Sequence, residues 1–270
     1  MKFVTVATHS DGYFDFLQQS CERHNIELNV LGWGMKFQGW VWRLNIIKDY
    51  YNALDPEEIV CFIDAYDVII LQDASEIEKT FKNMNARIVI AQDVNINPVK
   101  EIMARFVYFG TCNNVRVNAG TYIGYVKDVL WMMNSICIMN DCDNDTTLDD
   151  QKMITDLCKH MPLRFTIDTD KDIFICTSYK SYMELADISV DKQKVLYYKM
   201  TATPCILHGA GGAHINDIIK SLGYDIVIKD NKSNHSEPWY QLLLGMISAI
   251  IIIVLGICLY YIIPYFQPTN

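Results

Sequence analysis

Two aspartates three residues apart, Asp64 and Asp67, close an apolar run in "VCFIDAYDVII", residues 60–70. Carboxylates that close repel each other unless a cation lies between them. Hard oxygen donors select magnesium or manganese, ions that keep coordination positions free for phosphate oxygens. A metal-diphosphate site is one reading, and a turn aspartate followed by a helix cap is the other. A second candidate ends another apolar run, His208 in "TPCILHGAGGAH". Alone, a histidine there is more often structural than ligating. The glycines after it, from Gly209, allow close backbone approach to a phosphate or form a plain connector.

These residues need a frame to hold them. From Met1 to about Asp230 short β-rich runs alternate with helical ones, which predicts a layered α/β domain with a mostly parallel central sheet. "KFVTVAT" and "IELNVLG" read as strands around a helix over "DGYFDFLQQSCERH", and "WRLNIIKDYYNAL" as a second helix. "EIVCFI" is an apolar strand that would carry Asp64 to the C-terminal edge of the sheet, where open α/β sheets bind ligands. Ser75 and Glu78 fit a capping box opening "SEIEKTFKNM", and "RIVIAQ" returns to the sheet. "VNAGTYIGY" reads as a strand interrupted by glycine, and "KDVLWMMNSICIM" as a helix. "CDNDTTLDDQ" is an acidic loop opening another helix, for which Thr147 and Asp150 also fit a capping box. "LRFTID" and "DIFICT" are further strands.

The 270 residues are 51% hydrophobic with a formal net charge of -9, enough to bury a core and too acidic for a nucleic-acid footprint. The nine cysteines form no CxxC pair, so they read as reduced core thiols rather than a disulfide framework or a zinc site. The N-terminus shows no signal-peptide pattern. Leu242 to Ile263 is an uncharged apolar run, long enough as helix to cross about 30 Å of bilayer core. Trp239, Tyr240, Tyr261 and Tyr265 flank or close it, and Lys229 and Lys232 precede it. The expected organisation is an α/β domain over 1–230, a linker over 231–238, and a transmembrane helix with its flanks over 239–266. A tail anchor leaving the domain in the cytosol follows from the lysine placement. The sequons at Asn144, Asn231 and Asn234 would suit the opposite topology.

Taken in order, "VATHSDGYFDFL", "VLGWG", "CFIDAYDVII", "VNAGTYIG", "LDDQ", "FTIDTDKDIF" and "PCILHGAGG" resemble the glycosyltransferase domain of multifunctional procollagen lysyl hydroxylases and related collagen glycosyltransferases. The resemblance implies a GT-A-like fold and a UDP-sugar donor, UDP-glucose or UDP-galactose, used with Mn2+ or Mg2+. It implies Asp64, Asp67 and His208 as metal ligands, and Tyr66 lying against the uridine. Asp149 and Asp150 match an acidic pair facing the donor sugar, where a carboxylate can bind hydroxyls or stabilise oxocarbenium-like charge. Asn118 and Gly120 match a block near donor sugar and acceptor, and Asp93 of "AQD" matches a donor contact. Arg43 stands in for a lysine in a shortened loop, "KFQGWVWRL", where either cation can meet a diphosphate with different geometry. Phe37 falls where the family has a nucleotide-side tryptophan, and one of Trp40 and Trp42 is expected in the core.

The function so implied is hexosyl transfer from a UDP-sugar to a hydroxyl acceptor on a protein or glycan. Hydroxylysine or galactosyl-hydroxylysine of a collagen-like protein is the acceptor the resemblance suggests. A non-catalytic, membrane-anchored module that keeps the fold and UDP binding is the alternative.

Overall fold

The computed structural model of the protein describes residues 1–94, 98–142, 148–177, 188–197, 201–211 and 213–225. The chain divides into two compact units, Met1–Ile226 and Val227–Asn270, and the described residues belong to the first. Its elements follow one another as β1 (Lys2–Val6), α1 (Phe14–Arg23), β2 (Leu28–Leu31), α2 (Trp40–Asn52), β3 (Ile59–Ile63), β4 (Val68–Ile70), α3 (Ala74–Asn83), β5 (Ile88–Gln92) and α4 (Pro98–Met103). A π-helical turn (Ala104–Tyr108) leads to β6 (Val117–Tyr125), α5 (Val126–Asn140), α6 (Asp150–His160), β7 (Phe165–Asp168) and β8 (Phe174–Cys176). Last come β9 (Ile188–Asp191), β10 (Lys194–Tyr197), β11 (Ile206–His208) and α7 (Asn216–Ser221).

The main sheet has six strands in the order β2-β1-β3-β6-β5-β7. Every neighbour pair is parallel except those made by β6, which runs antiparallel to both β3 and β5. The result is a mixed α/β sheet in which the strands other than β6 share one direction. A second sheet, β4-β11-β8, pairs β11 parallel to β8 and antiparallel to β4. The apolar run of β3 is explained by burial on both faces. Val60 and Phe62 enter a core cluster with residues of α2, α5 and α6, whereas Ile59, Cys61 and Ile63 join residues of α1, α3 and the second sheet.

Three expectations change. The Ser75–Glu78 capping box is not formed, because α3 starts at Ala74 behind Asp73, two residues earlier than a Ser75 cap requires. Glu78 instead meets Lys82 one helical turn on at 2.5 Å, and Asp73 meets His24 at 2.9 Å. The α6 cap is Asp149, whose carboxylate accepts from the Lys152 N–H at 2.9 Å, so Asp150 is the first helical residue; Thr147 lies outside the described residues. Finally, Cys112 and Cys158 are joined in a disulfide that ties the β5–β6 connection to α6, so the thiols are not all reduced. Cys21, Cys61, Cys137, Cys176 and Cys205 stand outside this disulfide. Among the described residues no helix is long and apolar enough to cross a membrane, and the run Leu242–Ile263 lies outside them.

Candidate metal and donor site

Two β ladders converge on the tetrapeptide Asp64–Asp67. The β3–β6 register, Ile63 opposite Thr121, continues one residue further, where the Asp64 N–H donates to the Gly120 carbonyl at 2.8 Å. On the other side His208 stands opposite Val68 in the β4–β11 ladder, and the Gly209 N–H donates to the Asp67 carbonyl at 2.7 Å. Distant parts of the chain thereby meet at one turn. His208 Nε2 lies 3.3 Å from Asp67 Oδ1 and 3.8 Å from Asp64 Oδ2. One ligand atom from each of the three lies within 4.8 Å of the others. Asp67 thus reaches the site from the start of β4, and His208 is the last residue of its own strand.

Two carboxylates and an imidazole fit a hard divalent cation that retains open positions. Gly120 leaves the space they need, since a Cβ there would sit 2.4 Å from both Asp64 Oδ2 and His208 Cε1. Burial disfavours the His208 imidazolium, but the Asp67 carboxylate outweighs it and holds the histidine well above its ordinary pKa. Burial also raises the Asp64 carboxyl, against the pull of the Arg43 guanidinium. Behind the imidazole, Cys176 stands opposite His208 in the β8–β11 ladder, its Sγ 3.8 Å from Nδ1. This partner orients Nε2 toward the acids.

Arg43, in the first turns of α2, links this cluster to α6. One terminal nitrogen donates to Asp64 Oδ1 at 2.7 Å, and the other donates to Asp150 Oδ2. Of the two expected sugar-facing acids, Asp150 therefore joins the cluster while Asp149 is an exposed cap. The Tyr66 hydroxyl accepts from the Thr8 N–H at 3.1 Å, and its ring lies 5.9 Å from that of His9, at the edge formed by the end of β1. Trp40 is partly exposed beside Arg43, whereas Trp42 packs against the core. Phe37 is exposed and meets both tryptophans edge to face.

Asn118 is buried and turned inward, its Oδ1 accepting from the Gly120 N–H at 2.9 Å. It supports the glycine beneath the acids. Asp93 is likewise buried, with its carboxylate held by Arg116, the Val94 N–H at 2.9 Å and Asn118 at 3.4 Å. Arg116, which also meets Glu101 at 3.0 Å, and Gln151, which reaches Asp93 at 3.5 Å, were not singled out from the sequence. A lone arginine before a strand carries no spacing signal. These bonds give Asp93 a structural task. Asp93→Asn is expected to lower stability by about 3 kcal/mol, because it leaves a buried guanidinium short of charge. Urea unfolding measures this, and an unchanged midpoint with a raised donor KM would support the donor contact instead.

Residues 1–230 match the family model described as PLOD GT domain. Procollagen-lysine,2-oxoglutarate 5-dioxygenase of Drosophila melanogaster is 28% identical over 229 residues, 78% of this chain and 30% of that protein. The human multifunctional procollagen lysine hydroxylase and glycosyltransferase LH3 is 23% identical over 225 residues, 77% of this chain and 29% of that protein. The chain thus spans less than a third of the length of these relatives. A solved structure of the galactosyltransferase LgtC with donor and acceptor sugar analogues aligns with a TM-score of 0.46 and 14% identity, covering 84% of this chain and 98% of that one.

Proposed function

Because this chain belongs to the PLOD GT domain family, we propose that it is a metal-dependent, GT-A-like hexosyltransferase. It would move glucose or galactose from a UDP-sugar to a hydroxyl acceptor. Hydroxylysine or galactosyl-hydroxylysine of a collagen-like protein is the acceptor we favour. The observation that carries the reading is the meeting of Asp64, Asp67 and His208 at one turn, over a glycine whose missing side chain leaves room. Asp64 Oδ2, Asp67 Oδ1 and His208 Nε2 would hold the cation. A bound Mn2+ or Mg2+ supplies charge to offset the diphosphate and stabilises UDP as the leaving group.

The chain's own residues do the rest. Tyr66, fixed through Thr8, offers a ring face to the uridine. Gly209, whose own N–H is held by the Asp67 carbonyl, would let the backbone of the turn after His208 come close to phosphate oxygens. Asp150 presents a carboxylate beside the cluster, placed to bind sugar hydroxyls or to stabilise positive charge that develops as the glycosidic bond breaks. The full chain in detergent should release UDP from UDP-glucose or UDP-galactose when Mn2+ is present, and not when the metal is chelated. A folded protein that turns over no nucleotide sugar would favour the non-catalytic module.

The run Leu242–Ile263 is proposed as a membrane anchor. The lysines before it favour a cytosolic domain, whereas a disulfide such as Cys112–Cys158 is at home on an oxidising side. Protease added to intact microsomes separates the two: digestion of the domain supports the cytosolic placement, and protection or a glycan at Asn144 the luminal one.

A further inference from the structure

Arg43 is confined on four sides. The Trp40 ring centroid lies 4.6 Å from its guanidinium carbon, that of Phe62 lies 5.2 Å away, and the remaining two sides are the carboxylates of Asp64 and Asp150. Its side chain is 12% exposed. Phe62 is itself stacked on Tyr122, with ring centroids 5.0 Å apart, so the platform beneath the cation is rigid.

The two acids come from different elements. Asp64 directly follows β3 and Asp150 begins α6, and Arg43 spans to Asp150 across 107 residues of sequence. Each acid divides its oxygens. Asp64 gives Oδ1 to Arg43 and turns Oδ2 to His208, while Asp150 gives Oδ2 to Arg43 and Oδ1 to the Gln151 N–H at 2.9 Å. A guanidinium can do this because its donors lie in one plane and point along separate directions, whereas an ammonium is a single point charge.

The geometry points to Arg43 as a positioning residue, a strut that fixes the Asp150 carboxylate relative to Asp64, rather than a ligand of the donor diphosphate. The family resemblance implies the diphosphate role, but both terminal nitrogens are taken by carboxylates. The strut sets how far the acid beside the sugar stands from the cation, the separation on which transfer geometry depends. In its catalytic consequence the inference rests on the function proposed above.

The test is Arg43→Lys, which keeps the charge and loses the fork. With a parent-like melting curve, the strut predicts that kcat for sugar transfer falls at least tenfold, while the Kd for UDP in the presence of Mn2+ stays within threefold. Adding Asp150→Asn to Arg43→Lys should then lower kcat less than twofold further. A parental kcat, or a tenfold weaker UDP affinity with kcat unchanged, would overturn the inference. If Arg43→Lys does not fold, Asp150→Glu replaces it, since it keeps the charge and shifts the carboxylate. A tenfold loss of kcat supports the strut, and full activity overturns it. A parent enzyme without turnover defeats the proposed function and not the strut. In that case the denaturation midpoints of Arg43→Lys, Asp150→Asn and the double variant decide, with non-additive shifts supporting the strut and additive shifts rejecting it.

Discussion

Gly120→Ala is expected to remove metal binding and, with it, sugar transfer. Its Cβ would lie 2.4 Å from Asp64 Oδ2 and from His208 Cε1, and 3.0 Å from Asp64 Cγ. Neither neighbour can withdraw cheaply. Asp64 is held by Arg43 at its other oxygen, and His208 is fixed by its ladder between β4 and β8. Disturbing groups that merely orient ligands typically costs 10–100-fold in metal affinity, so a clash with two proposed ligands should cost at least roughly a hundredfold. Overpacking alone would cost only about 1–3 kcal/mol of stability. Gly124→Ala is the control, because its Cβ would meet the Arg87 carbonyl at 2.8 Å in the same strand but away from the acids. It should lower stability and leave Mn2+ affinity near parental. Calorimetric titration of Mn2+ into both variants reads the difference, and tight binding by Gly120→Ala would mean the cation sits elsewhere.

The second large effect is loss of a ligand. Asp64→Ala removes an oxygen facing His208 and frees Arg43, so Mn2+ binding should fall below detection and UDP binding should lose its metal dependence. His208→Ala should weaken Mn2+ by more than about tenfold, beyond the lower range seen for outer-shell partners. It should also flatten the pH response. The folded protein holds the His208 proton well above the pH near 6.5 at which an unfolded chain releases it. Stability from that proton is fully present below about pH 6.5 and is lost as pH rises through the higher folded pKa. A cation at Nε2 requires the proton to leave, so Mn2+ affinity rises with pH over the same window. Titrations between about pH 6 and 8 should show this rise in the parent and much less of it in His208→Ala. Equal slopes would remove His208 from the ligand set.

Much of this arrangement is legible in the sequence because burial and periodicity leave strong marks. The apolar run of β3 has to be covered on both faces, which carries Asp64 to a sheet edge. Other features depend on contacts that no spacing encodes. Asp149 and Asp150 are adjacent in sequence and differ only in where α6 begins, so one caps the helix and the other meets Arg43. Asp93 matches a donor contact through the resemblance, whereas its buried pairing with Arg116, across the connection from β5 to β6, has no motif to announce it. The Cys112–Cys158 bridge joins residues 46 apart with no paired pattern to announce it. Ser75 and Glu78 have the composition of a capping box, yet a lysine one turn later competes for the glutamate.

The late strand β11 has a consequence for the order in which the molecule matures. Asp64 and Asp67 are in place once β3 and β4 exist, and β6 closes over Asp64 when residues 117–125 have been made. His208 joins them only after β11 has slotted between β4 and β8, a pairing of high sequence separation whose loop-closure cost makes it slow. A nascent or partly assembled domain therefore offers two acids without their imidazole and holds a cation poorly. Ligand linkage then stabilises the finished state alone, because an ion that binds only that state shifts only its population. Metal retention should be a check on completion, acquired at the last docking event and surrendered first when β11 frays.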